Sequence, residues 1–111
     1  MLLVGFSGGA TFAGGVALAD PHRIAGLATM YATLPYDAGL PVEAGRLDGL
    51  PVLVIRGESD QMIPRELQRA SLDYLHDDSG AEVTGRRSPG GHALISEDVA
   101  VLGTWIAKQV D

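Results

Sequence analysis

The sequence predicts an α/β fold of three layers, with a mostly parallel sheet of about four strands between helices. Two apolar runs, 24–31 and 51–55, do not alternate with polar residues, which is typical of parallel strands covered on both faces. Helical patterns separate the runs, and strands that alternate with helices favour parallel pairing. The chain has 111 residues, 46% of them apolar, which is enough for one modest core. We therefore expect residues 1–111 to form a single domain.

The first two elements are predicted to be a short strand and a helix joined by a glycine-rich turn. Residues 2–4 are predicted to be the end of a buried strand, and the turn covers residues 5–9. The helix is expected over about residues 10–19, because Asp20-Pro21 then stops it. The chain between 32 and 50 is rich in proline and glycine, so it is predicted to be a connection.

The second predicted helix follows the most apolar strand, 51–55. Pro64 suits its first turn, and the helix is expected to end near Asp77. Residues at helical spacing form one face: Leu67, Ala70, Ser71, Tyr74 and Leu75.

The last strand and helix complete the pattern. Residues 82–87 carry Arg86 and Arg87 and are predicted to be a polar strand near a sheet edge. Ser96 is the expected N-cap of the final helix, and two acidic residues suit the positive helix start. Its apolar stripe is predicted to be Val99, Leu102, Ile106 and Val110.

The glycine-rich turn has the G-x-S-x-G pattern of a nucleophile elbow, in Gly5-Phe6-Ser7-Gly8-Gly9. This sharp turn needs small neighbours, which Gly5 and Gly9 supply, so that the serine hydroxyl can project. The backbone N–H of Gly8 is then placed to stabilise an oxyanion. The structural alternative is an ordinary turn serine. A turn of this kind can also bind phosphate at the helix start, which makes an anion-binding domain a further hypothesis.

An acidic residue and a histidine follow in the chain order Ser, Asp, His that such an elbow requires. Asp60 comes after the strongest strand, where catalytic groups of open α/β sheets collect, and Glu58 is the competing acid. His92 follows two glycines in the loop before the last helix and is the candidate general base. His22 and His76 are expected to lie at the surface or to interact with the dipole at a helix C-terminus.

Composition excludes several other classes. The formal net charge is −6 with eight scattered basic residues, which argues against nucleic-acid binding. There is no cysteine, and the sequence lacks phosphate-loop, dinucleotide-binding and zinc-protease motifs, so we predict no metal and no cofactor. No apolar run approaches 18 residues, and no export signal is visible. We expect a cytoplasmic protein without a membrane span.

Taken together, the residues at 5–10, 57–64 and 89–92, with the linking residues 33–41, resemble the phospholipase/carboxylesterase group of α/β-hydrolases, relatives of acyl-protein thioesterases. The resemblance implies that Ser7 is the nucleophile, Asp60 the acid and His92 the base, with Gly8 as one oxyanion donor. Many members have glutamine after the serine, where this chain has Gly8. The expected activity is hydrolysis of small to medium acyl esters, which are small-molecule substrates.

The resemblance also implies a partial fold. The family has about four further N-terminal strands and a loop that supplies a second oxyanion donor, so the chain is expected to correspond to the C-terminal portion of the domain. The strand before Gly5 would then be an unprotected edge that invites pairing with another chain, in a homo-oligomer or with the missing half. The alternative hypothesis is a catalytically silent module that acts through such association.

Overall fold

A computed structural model describes residues 2–32, 44–58, 60, 63, 65–89 and 91–110. Within these ranges, strands and helices alternate except between the second and third strands. The elements are β1 (Leu2–Phe6), α1 (Gly8–Ala19), β2 (Gly26–Met30), β3 (Pro51–Gly57), α2 (Arg65–Asp73), β4 (Glu82–Ser88) and α3 (Ser96–Val110). A 3₁₀ turn, Pro21–Arg23, precedes β2, and a π-helical turn, Tyr74–Asp78, continues α2.

The described strands form one parallel sheet in the order β1-β2-β3-β4. Phe6 pairs with Met30, Met30 with Ile55, and Gly57 with Ser88, so the strands end close to one line. Because all strands run the same way, the residues that follow them meet at this carboxyl edge of the sheet.

Helices cover both faces of the sheet, which confirms the three-layer prediction. On one face, α1 and the π-helical turn pack on β2 and β3; the buried residues include Ala17, Leu18, Leu27, Val52, Val54 and Leu75. On the other face, α3 packs on the same strands; the buried residues there include Ala28, Met30, Leu53, Ile55 and Trp105. The runs predicted as interior strands are buried on both faces for this reason.

The predicted face of the second helix is correct only in its C-terminal part. Ser71, Tyr74 and Leu75 are buried, whereas Leu67 and Ala70 are exposed. The sheet contact is therefore made by the end of α2 and the π-helical turn. The start of the helix carries charged residues on both sides of Leu67, and these side chains keep it in solvent.

The predicted start and stripe of the last helix need correction. Ile95 is the N-cap, because its carbonyl accepts the N–H groups of Asp98 and Val99, and Ser96 is already the first helical residue. Val99 is 56% exposed, whereas Asp98 and Trp105 are buried. The buried carboxylate of Asp98 at the helix start thus sets the orientation of α3. The predicted stripe, which was based on aliphatic residues alone, does not include it.

β1 is an edge strand in the described part of the sheet, since it pairs with β2 alone. It was predicted to be buried, yet Val4 is 44% and Phe6 38% exposed. Phe12 and Val16 on α1 are exposed as well. This edge therefore presents apolar side chains beside unpaired backbone groups. None of the described helices combines the length and apolarity that a bilayer crossing demands.

Two parts of the sequence interpretation lie outside the described residues. These are the linking residues 33–41 and the placement of Pro64 at the start of the second helix.

Candidate active site

Ser7 occupies the turn between β1 and α1 in a strained backbone conformation. Its φ is 56° and its ψ −124°, values that cost a non-glycine residue about 1–3 kcal/mol. The turn is held by hydrogen bonds: the Ser7 N–H donates to the Met30 carbonyl at 2.8 Å, and the Ser7 carbonyl accepts from the N–H groups of Ala10 and Thr11. Hydrogen bonds with β2 and α1 therefore maintain the strained conformation of Ser7. The Ser7 side chain lies at the carboxyl edge of the sheet.

The two glycines that flank this turn have different roles. A Cβ atom at Gly5 would lie 2.5 Å from Cα of Ala10 and 2.6 Å from its N, so only glycine lets α1 cross β1 this closely. A Cβ atom at Gly9 would meet nothing within 4 Å. The expectation of a small neighbour therefore has a steric basis at Gly5 and none at Gly9.

Gly8 is the first residue of α1, directly after Ser7. The N–H groups in the first turn of a helix have no intrahelical acceptor, and the helix dipole adds partial positive charge there. A negative oxygen that develops beside Ser7 would meet this donor.

His92 reaches Ser7 from the loop that follows β4. Its Nε2 atom lies 2.8 Å from Oγ of Ser7, across 85 residues of sequence. The ring packs against Phe6 with centroids 5.6 Å apart, and its side chain is 19% exposed. The other histidines lie elsewhere: His22 and His76 are exposed in turns that precede β2 and β4, at the opposite edge of the sheet.

Asp60 supplies the carboxylate that faces this histidine. Its Oδ2 atom lies 2.7 Å from Nδ1 of His92, and its side chain is fully buried. The turn after β3 is fixed by the Glu58 N–H, which donates to the Ser88 carbonyl, and by the Asp60 N–H, which donates to the Gly57 carbonyl. Glu58 itself is exposed. Of the two candidate acids, the structure brings Asp60 to His92.

A second buried carboxylate, Asp98, lies beside this site and was missed by the sequence analysis. Its Oδ2 atom accepts hydrogen bonds from the Tyr31 hydroxyl, from Ser88 Oγ at 3.3 Å and from the Ile95 N–H at 3.0 Å. Its Oδ1 atom accepts from Arg86 Nε at 2.8 Å. Two signals could have revealed it: Tyr31 directly follows β2 at the carboxyl edge, and Ile95 and Asp98 have capping-box spacing.

The hydrogen bonds change the acidity of both partners of the Tyr31–Asp98 pair. Burial on its own raises the pKa of Asp98, but the hydrogen bonds from Tyr31, Arg86, Ile95 and Ser88 outweigh it and lower the pKa from 3.8 to about 2. Burial, and then the hydrogen bond to Asp98, raises the pKa of the Tyr31 hydroxyl. At neutral pH the structure therefore favours a charged Asp98 and a neutral Tyr31.

The lowered pKa of Asp98 predicts a loss of stability in acid. The lowered pKa of the carboxyl group stabilises the folded chain at pH values above 3.8, its pKa in the unfolded chain. This contribution disappears as the pH falls through about 2. Over this window the free energy of unfolding should lose about 2 kcal/mol. Urea unfolding between pH 5 and pH 2 checks this, because the difference between wild type and Asp98→Asn should shrink by that amount. A difference that does not vary with pH would contradict it.

Comparison with solved structures of known proteins finds the same fold. A carboxylesterase from Bacillus cereus superimposes with a TM-score of 0.82 at 21% identity, over 98% of this chain and 50% of that one. Arabidopsis thaliana SOBER1 gives 0.80 at 22% identity, over 99% and 53%. A carboxylesterase from Mesorhizobium loti gives 0.78 at 27% identity, over 96% and 48%. The chain thus spans about half the length of the solved structures it matches.

A family model described as phospholipase/carboxylesterase matches residues 1–110, almost the whole chain. The match agrees with a parallel sheet that carries a strained serine after its first described strand. This chain belongs to the phospholipase/carboxylesterase family of α/β-hydrolases.

Proposed function

We propose that this chain is a serine carboxylesterase or thioesterase that hydrolyses small to medium acyl esters through an acyl-enzyme intermediate. The observation that carries the proposal is a continuous line of two short hydrogen bonds, from Ser7 to His92 and from His92 to Asp60. These residues come from three different strand ends. Membership of a family that includes carboxylesterases supports the same reaction class.

The direction of the hydrogen bonds suits activation of a nucleophile. A carboxylate can only accept, so the proton on His92 belongs on Nδ1, facing Asp60, and the lone pair on Nε2 faces the Ser7 hydroxyl. In the proposed first step, Ser7 Oγ attacks the ester carbonyl carbon while His92 takes its proton. Asp60 would hold this tautomer and stabilise the imidazolium that forms.

The remaining steps follow from the same three groups. The tetrahedral intermediate carries a negative oxygen, to which the Gly8 N–H would donate. His92 then gives its proton to the leaving alcohol or thiol, and the acyl group remains on Ser7. A water molecule then attacks the acyl carbon while His92 takes its proton. The bond from the acyl carbon to Ser7 Oγ breaks, the acid leaves, and His92 returns the proton to Ser7 Oγ.

Labelling with a fluorophosphonate tests the proposed nucleophile directly. The reagent forms a covalent bond to an activated serine, so mass spectrometry of the treated chain should find the adduct on Ser7. A folded chain that neither labels nor hydrolyses p-nitrophenyl esters would contradict the proposal. It would favour the silent module, for which the apolar residues exposed on β1 and α1 offer an association surface.

The two candidate acids provide a matched pair of variants. Asp60→Asn should lower kcat for a p-nitrophenyl ester by about 10²–10⁴-fold, because an amide at this position favours the wrong histidine tautomer. Glu58→Gln, two residues away and exposed, should change kcat less than about twofold. Steady-state kinetics on both variants decide between the acids, and a larger loss in Glu58→Gln would reverse the assignment.

A further inference from the structure

The loop that carries His92 is tied at both ends to a single side chain. The loop leaves β4 after Ser88 and enters α3 at Ile95. The Ser88 hydroxyl and the Ile95 N–H both donate to Oδ2 of Asp98, at 3.3 and 3.0 Å. The separation between the two loop ends is therefore fixed by one carboxylate oxygen.

The same carboxylate also holds an aromatic ring against the imidazole. Tyr31 donates its hydroxyl to Asp98, and its ring meets the His92 ring edge-on with centroids 6.1 Å apart. Tyr31 has a positive φ of 58°, which is unfavourable for a bulky residue, and its side chain is only 1% exposed. The Phe6 ring centroid lies 5.6 Å from those of Tyr31 and His92, so the imidazole packs against both aromatic rings in one three-ring cluster.

A stabilising role in the fold does not require this arrangement. A helix start needs only a hydrogen-bond acceptor for the Ile95 N–H, and an exposed carboxylate supplies that at low cost. Asp98 instead is fully buried and accepts hydrogen bonds from Tyr31 just after β2, from two residues of β4 and from the loop end. The elements joined in this way are the ones that surround His92.

We propose that Asp98 is a positioning residue that fixes the His92 imidazole relative to Ser7 by clamping both ends of its loop and by orienting Tyr31. The inference rests on the proposed ester hydrolysis for its kinetic consequence. It predicts that loss of the clamp lowers turnover and leaves substrate binding unchanged, because misplacement of a catalytic group by about 1 Å can cost about 10²-fold in rate.

The kinetic test uses Asp98→Asn, with Glu97→Gln as the matched control from the same helical turn. Asp98→Asn should lower kcat by about 10- to 100-fold and change KM less than about twofold. Glu97 is exposed, and its replacement should leave both constants within about twofold. Asp98→Glu should recover part of kcat, since it restores a carboxylate. Measurements are made well below the melting temperature of each variant.

A spectroscopic test does not depend on turnover. In a ¹⁵N-histidine chain, the Nδ1 proton of His92, bonded to Asp60, should give a low-field resonance. The resonance should be broadened or lost in Asp98→Asn and retained in Glu97→Gln. If the wild-type chain shows the resonance and yet hydrolyses no ester, loss of the resonance in Asp98→Asn would support the positioning role of Asp98 while the proposed function fails.

Variants that each remove one hydrogen bond to Asp98 keep the inference testable if Asp98→Asn does not fold. Tyr31→Phe removes only the hydroxyl, and Ser88→Ala removes only the tie at the strand end. Each should lower kcat by about 3- to 10-fold and shift the His92 resonance. Folded variants with unchanged kcat and an unchanged resonance would overturn the inference and leave Asp98 with a structural role alone.

Discussion

Replacement of Ser7 by alanine is expected to lower kcat/KM for a p-nitrophenyl ester by about 10⁴-fold or more. The hydroxyl is the atom that would form the acyl-enzyme, and alanine offers nothing for His92 to deprotonate. The remaining groups, His92 and the Gly8 N–H, would retain only slow hydrolysis by water. Initial rates of wild type and variant, at matched concentrations, measure the loss.

A second serine separates this effect from unspecific damage. Ser96 is an exposed serine at the first position of α3, and Ser96→Ala should keep kcat/KM within about twofold of wild type. Ser7→Ala should also remain folded, because alanine and serine are similarly strained at a φ of 56°. Equal hydrolysis by wild type and Ser7→Ala would show that the reaction does not pass through this residue.

Gly5→Ala is expected to lower the free energy of unfolding by about 3 kcal/mol or more. The added Cβ would overlap backbone atoms of α1, at 2.5 Å from Cα of Ala10, and backbone cannot rotate away as a side chain can. Relief requires α1 to move off β1, which opens the packing around Ser7. The variant should therefore lose ester hydrolysis together with stability.

Gly9→Ala is the matched control, four residues along the same turn. Its Cβ would meet nothing within 4 Å, and alanine favours helix formation over glycine by up to about 1 kcal/mol. Its stability should match or slightly exceed that of wild type. Urea unfolding followed by fluorescence of Trp105, the single tryptophan and a buried one, measures all three chains. Similar stability of the two alanine variants would contradict the close contact at Gly5.

The elements that the sequence predicts best are those with a local cause. The apolar run 51–55 can be recognised without knowledge of its neighbours, and the glycine-rich turn at 5–9 imposes a sharp change of direction. Ser7, Asp60 and His92 could be proposed together because each follows a predicted strand of a parallel sheet, whose ends share one edge.

Asp98 could not be predicted in the same way, since its burial depends on distant partners. An unpaired carboxylate would be costly to bury, and the cost is offset here by Tyr31, which directly follows β2, and by Arg86 and Ser88 of β4. The aliphatic spacing of α3 therefore selected Val99, which is exposed, and passed over Trp105. The orientation of α3 depends on this polar contact, which the aliphatic spacing does not record.

Ser7 and Tyr31 are the two non-glycine residues with positive φ in the described ranges, and both lie where the chemistry is proposed to occur. Glycine at either position would relieve the backbone. A protein-engineering library screened for heat resistance alone would therefore enrich glycine at position 7 and discard the hydroxyl group there, whereas at position 31 the loss of a buried aromatic ring would outweigh the backbone relief. Thermostabilisation of this scaffold calls for a catalytic screen in every round.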